Sequence, residues 1–228
     1  MRRSFTLVAI VVLIGFLSSE AVADSVIKGT KIEEVVKEIS DRQKKVDTLQ
    51  ADFRQEKEMA LLTSAEVSEG RFVFEKPNRV LWVYDSPKPV RMLIADGWLT
   101  TYYPDLGRAE ELEVRRFEDR IFRYLGAASG AIEELTKYFD FRFIDRKGSP
   151  YILELDPKTK SVARRVRKLT IWIDRESFIT TSFEYIEGDG DMTRYEFVNI
   201  RINDPIPPDT FVIDLPTDVR VERMKLNR

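Results

Sequence analysis

The 228-residue chain contains no cysteine and no histidine. The first absence excludes disulfides, thiolate nucleophiles and lipid attachment through a cysteine. The second removes the commonest general base, so a Ser-His-Asp triad is impossible. Together they remove the ligands that zinc and similar metals use most. No glycine-rich phosphate loop of the G-x-x-x-x-G-K-[ST] kind occurs either. There are 37 Lys plus Arg against 39 Asp plus Glu, a formal charge of -2. That near-balance argues against a nucleic-acid binder, which would be clearly basic. Carboxylate-pair catalysis stays open because acids are abundant, but nothing in their spacing selects a pair.

The N-terminus carries Arg2 and Arg3, an apolar stretch from Leu7 to Leu17 interrupted by Gly15, and a small-x-small site at Ala21-Val22-Ala23 before Asp24. This is the pattern of a cleaved secretory signal peptide over residues 1–23. The apolar run is too short to span a bilayer comfortably. Cleavage removes Arg2, Arg3 and Glu20 and takes the formal charge from -2 to -3. No second long apolar run follows. The expectation is an exported, soluble protein of the bacterial periplasm, one domain over residues 24–228.

Residues 26–47 read as an amphipathic helix, with Ile32, Val35, Val36, Ile39, Gln43 and Val46 at helical spacing. Strand patterns follow: "TLQADFRQE", "VSEGRFVFE", "RVLWVYD", "VRMLIAD", "WLTTYYP" and "RAEELEVRRF". Turn signals such as Pro-Asn, Ser-Pro and Asp-Gly separate them. Two short helical patterns, broken at Gly126 and Gly130, occupy Glu118–Phe139. Strands then resume with "FDFRFIDR", "PYILELDP", "RKLTIWIDR", "FITTSFEYIE" and "DMTRYEFVNIRI", and "PPDTFVIDLP" ends as a turn and an extended tail. About ten or eleven regularly spaced strands predict an antiparallel meander, sandwich or barrel.

One segment resists the simplest form of that prediction. A strand with one solvated face alternates apolar and polar residues, yet Val80, Leu81, Trp82, Val83 and Tyr84 are unbroken, as are Phe72, Val73 and Phe74. Unbroken apolar strands usually lie in parallel sheets covered by crossover helices, and no such helices alternate here. The remaining solution is a strongly curved antiparallel sheet with two apolar faces, one against the N-terminal helix and the other against the mid-chain helices. Aromatics concentrate on these strands. They make either a packed β core or the lining of an apolar cavity for acyl chains. "EGDGDM", Glu187–Met192, reads as a hairpin rather than a calcium loop, because the closing glutamate of that loop is missing. The basic runs "ARRVRKL" and Arg115, Arg116, Arg120, Arg123 read as solvated edges, with anionic headgroups as the alternative partner.

The order of several motifs resembles the LolA family, periplasmic carriers of outer-membrane lipoproteins. "LQADFRQ" resembles the family's "ADF-x-Q" strand. "EGRFVFEKPNRVLWVYDSP" resembles its Gly…Lys/Arg-Pro…Trp-x-Tyr segment, and "LIADGWLTTYYPDL" its "LIADG" segment. The stretch from "LTIWIDRESF" to "IPPDTFVIDLPTDVRV" has the family's closing rhythm. The resemblance implies an incomplete, strongly curved antiparallel β-barrel (α+β, mainly β) with a helical lid. It also implies a carrier without enzymatic activity or cofactor. Such a carrier accepts acylated lipoproteins from an inner-membrane ABC exporter complex and passes them to an outer-membrane receptor, acting as a monomer.

The resemblance further places Phe72, Phe74, Val80, Trp82 and Tyr84 in an acyl-chain cavity. It assigns the lid to Ile121, Phe122, Tyr124, Leu125, Ile132 and Leu135. Family members often hold the lid with an arginine before the proline of the second strand. Lys76 occupies that position here and lacks the planar guanidinium fork. Side-chain alternation then turns Val73, Leu81 and Val83 outward, toward the N-terminal helix. A divergent carrier of another lipid, a lipoprotein-sensing regulator and a carboxylate hydrolase are the competing expectations.

Overall fold

The computed structural model describes residues 30–59, 64–115, 135 and 138–225. The helix α1 (Thr30–Gln43) leads into β1 (Thr48–Glu58), β2 (Glu66–Glu75), β3 (Arg79–Ser86), β4 (Val90–Ala95), β5 (Trp98–Tyr103) and β6 (Arg108–Glu113). The second half has β7 (Phe139–Ile144), β8 (Tyr151–Pro157), the single-turn α2 (Lys160–Ala163), β9 (Val166–Ile173), β10 (Thr180–Glu187), β11 (Met192–Ile202) and β12 (Arg220–Lys225).

The twelve described strands join one sheet in the order β12-β6-β5-β4-β3-β2-β1-β11-β10-β9-β8-β7. Each half is a meander, and β1 pairs with β11 to weld the halves together. Among the described strands every pairing is antiparallel except that of β12, which runs parallel to β6 from Arg220 opposite Arg108 to Lys225 opposite Glu113. Sequence reading misses β12. Its residues, "RVERMK", carry too few β-branched and aromatic side chains to signal a strand.

The sheet is strongly curved and does not close. Three strand spacings separate β3 from β11, about 14 Å in a flat sheet. Yet the Tyr84 and Tyr195 hydroxyls lie 3.0 Å apart, and the Trp82 and Tyr195 ring centroids 5.3 Å apart. Only a sheet rolled toward that face brings these groups together. Strands β7 and β12 form its two edges.

The curvature creates an inner and an outer face, and period-two alternation sorts the side chains between them. The inner cluster includes Phe53, Phe72, Phe74, Val80, Ile94, Leu99, Leu112, Phe139, Leu153, Leu155 and Ile173. Helix α1 belongs to it through Ile39, with Val46 just beyond the helix and Val36 at the margin. This overturns one expectation. The outward residues Leu81 and Val83 do not meet α1. They pack with Leu93 and Phe211, joined by Val73, Ala95, Ile206 and Ile213. The outer apolar face of β2–β4 is therefore covered by the extended segment after β11. The unbroken apolar runs are explained: the helix shields one face and the tail the other.

Candidate functional site

The centre of the inner face is a continuous aromatic floor. Phe53 on β1 meets Trp82 and Tyr84 edge-on, each at 5.0 Å between centroids. Phe72 lies 4.6 Å from Trp82 and 5.9 Å from Phe197. Phe183 stacks on Tyr195 at 4.7 Å and approaches Phe197 at 5.9 Å. Five strands, β2, β3, β1, β11 and β10, contribute to this surface.

Its packing depends on Gly70, which pairs with Phe53 on one side and Tyr84 on the other. A Cβ at Gly70 would overlap the Val83 carbonyl oxygen and crowd the Phe53 ring. The missing side chain is what lets the aromatics of β1 and β3 close over β2.

All five cavity residues expected from sequence share this face. Phe72, Phe74 and Val80 are buried, and Trp82 and Tyr84 are partly buried against the same cluster. Of the expected lid, Leu135 packs against the inner cluster. Ile121, Phe122, Tyr124, Leu125 and Ile132 lie outside the described residues, as do Arg116, Arg120 and Arg123. Arg115 donates to the Asp96 carbonyl at 3.1 Å.

Among the described residues, Lys76 holds the turn at the end of α1. Its Nζ donates to the Lys44 carbonyl at 2.6 Å and to Asp47 Oδ1 at 3.2 Å. Lys44 directly follows α1, where unpaired carbonyls and the negative end of the helix dipole favour a cation. Sequence reading misses the second clasp. Asn203, in the left-handed region at φ 59°, accepts from Asp47 N at 2.7 Å and donates to the Lys45 carbonyl at 3.0 Å. The signal available is Asn-Asp-Pro, a turn sequence at the end of β11. Together Lys76 and Asn203 fix α1 across one end of the inner face.

The other end is polar. Lys57 is buried at the far end of β1 and pairs with Glu187 at 3.2 Å, with Asp191 at 4.0 Å. Those acids flank the β10–β11 hairpin, where Glu187 N donates to Asp191 O at 2.8 Å. The expected "EGDGDM" hairpin is thus formed. Burial raises the Glu187 pKa, and the Lys57 ammonium partly opposes that. Between this ion pair and the aromatic floor stand Tyr84, Tyr185, Thr193 and Tyr195. Burial pushes the Tyr84 phenol up to about 12, against the opposing hydrogen bond from Tyr195. Burial also raises Tyr185, with the neighbouring Thr193 hydroxyl acting the other way. Tyr195, the deepest, is raised well above the ordinary phenol value by the same cause, helped by its neighbours Tyr84 and Tyr185. All three phenols therefore stay neutral and act as hydrogen-bonding groups on an otherwise apolar wall.

An open, rolled, mostly antiparallel sheet with an aromatic concave face defines a class of β-sheet protein built around an apolar interior. Residues 44–214 match the family model described as "Outer membrane lipoprotein carrier protein LolA", and the chain belongs to the LolA family. Among its relatives, an outer-membrane lipoprotein carrier protein of Nitrosospira multiformis is 24% identical over 175 residues, covering 76% of this chain and 81% of the relative. The protein of that name from Pseudomonas aeruginosa PAO1 is 25% identical over 181 residues, covering 78% and 82%. Among solved structures, an uncharacterized conserved protein of Thermus thermophilus shares the fold at a TM-score of 0.54 with 10% identity, covering 86% of this chain and all of that one. MucB shares it at 0.50 with 10% identity, covering 86% and 66%.

Proposed function

We propose that this protein is a periplasmic carrier that shields the acyl chains of lipoproteins on its inner face. It would be exported by the leader in residues 1–23, act as a monomer, receive cargo from an inner-membrane ABC exporter and deliver it to an outer-membrane receptor. It performs no chemistry on the cargo. The observation that carries this reading is the aromatic floor formed by Phe53, Phe72, Trp82, Phe183 and Phe197 across five strands of an unclosed sheet. Membership of a family whose named relatives are lipoprotein carriers supports it. No described helix is long and apolar enough to cross a membrane.

Hiding an alkyl chain from water is worth about 0.8 kcal/mol per CH₂, so a long chain on a rigid, ready-made surface would scarcely leave. Here the inner face is packed by its own rings. Cargo must displace those contacts, which lowers net affinity and permits transfer to a receptor that binds more tightly. Leu135 and the rest of the mid-chain segment would cover the bound chains as a lid, while Lys76 anchors the α1 end.

The test is to purify the mature protein from the periplasm without detergent and identify bound material by mass spectrometry. Triacylated peptides are the expected finding; repeated absence of any lipid, with no binding of an apolar dye, overturns the reading. Trp82→Glu should abolish lipid and dye binding with an unchanged far-ultraviolet circular dichroism spectrum. Global unfolding would instead assign Trp82 to an ordinary core.

A further inference from the structure

The polar end of the inner face holds hydrogen-bonding capacity that the chain itself does not use. Tyr84 and Tyr195 share one hydrogen bond between hydroxyls 3.0 Å apart. Two phenols carry two protons, and that bond employs one, so the pair keeps one proton to offer. Thr193 lies two residues before Tyr195 on the same face of β11, opposite Tyr185. Its side-chain oxygen is fully buried and closes no hydrogen bond of normal geometry, meeting only the Tyr185 hydroxyl in a looser one. Buried polar groups are nearly always paired, so unsatisfied ones at a functional surface point to a ligand.

What these hydroxyls lack is an acceptor, and its charge can be argued. Glu187 lies close enough to Tyr185 and Tyr195 to act electrostatically on both, and Lys57 is already engaged by Glu187. A second anion beside that carboxylate would be repelled and poorly solvated. A neutral carbonyl would not. The neighbouring aromatic rings take alkyl groups, with Phe183 stacked on Tyr195 at 4.7 Å and Trp82 5.3 Å away. Apolar floor and unfilled donors therefore stand side by side, as the hydrocarbon and the carbonyl do in an acyl ester.

We propose that the hydroxyls of Tyr84, Tyr195 and Thr193 form a subsite for the ester or amide carbonyl at the head of a bound acyl chain. The inference rests on the carrier reading above and adds to it a means of telling acyl lipids from other hydrocarbon. The chemistry is shared by a triacylated lipoprotein terminus and by a diacyl phospholipid.

The experiment measures dye displacement from the full mature protein, from Tyr195→Phe and from Thr193→Val. The probes are a tripalmitoylated lipopeptide, dipalmitoyl phosphatidylethanolamine and its dihexadecyl ether analogue, which keeps the chains and loses the carbonyls. The wild type should favour ester over ether phospholipid, and each substitution should lower that ratio about fivefold, the worth of one hydrogen bond. Tighter wild-type binding of the lipopeptide than of the ester phospholipid, with a matching loss in the variants, supports the subsite and names lipoproteins as the source. The reverse order supports it with phospholipid as the source. Equal ester and ether affinities in the wild type, or a ratio unmoved by both substitutions, overturns the subsite and leaves the carrier reading standing. Failure of the wild type to bind any probe overturns both. Ether binding by the variants shows that their inner face is folded.

Discussion

At the scale of single residues, the α1–β1 junction shows how two polar side chains set the position of a helix. Lys76 and Asn203 come from the chain's first and second halves, and both bind within the four residues Lys44–Asp47. Lys76→Met removes a charge-assisted bond to a helix-end carbonyl and should cost about 1–2 kcal/mol. Asn203→Ala loses its side-chain bonds to Asp47 N, Thr48 N and the Lys45 carbonyl and a residue tolerant of positive φ, and should cost about 2 kcal/mol. Urea unfolding gives the totals. Amide exchange gives the location: protection should fall first in residues 36–47. If Lys76→Met left that segment as protected as before, the clasp would be energetically idle. The described partners of Lys76 belong to the turn that follows α1.

At the scale of elements, the segment after β11 acts as a strap rather than a loose tail. Phe211 is buried between Leu81, Val83 and Leu93, and the Arg79 guanidinium sits 5.0 Å above its ring. Without the strap, β3 and β4 would expose a contiguous apolar face, which invites association. Phe211→Ala should destabilise the fold by about 3 kcal/mol, read from the shift in denaturation midpoint. It should also raise binding of an apolar dye by opening the outer face. A loss of dye binding, or no change in stability, would remove the strap from the core. Sequence reading gives "PPDTFVIDLP" as turn and extension, which the backbone bears out, but pattern alone does not say which face it covers.

At the scale of the whole molecule, β1 is the keystone. It pairs with β2 along ten residues and with β11 along nearly its full length, joining the two meanders. Among the described strands, β7 and β12 each pair on one side only. Opening should therefore begin at the edges and end at the centre. Hydrogen exchange followed by mass spectrometry should rank protection with β1, β2 and β11 highest and β7 and β12 lowest. A uniform profile would mean that the sheet opens as one unit. The same unclosed geometry is what the carrier reading requires, since a sealed barrel would have no side through which a chain could enter.

Alternation and turn chemistry are local properties, so the sequence by itself determined eleven of the strands, the amphipathic α1, the "EGDGDM" hairpin and the shared face of Phe72, Phe74, Val80, Trp82 and Tyr84. Each follows from side-chain periods of two or 3.6 and from Gly, Pro and Asp at the bends. The side of the sheet that each covering segment takes was decided only in the tertiary structure. A period tells that Leu81 and Val83 oppose Trp82, but not that α1 lies over Trp82's face while Phe211 lies over theirs. The meeting of Tyr84 with Tyr195, 111 residues apart, likewise depends on sheet curvature, a sum of small twists over many strands that no short stretch of residues encodes.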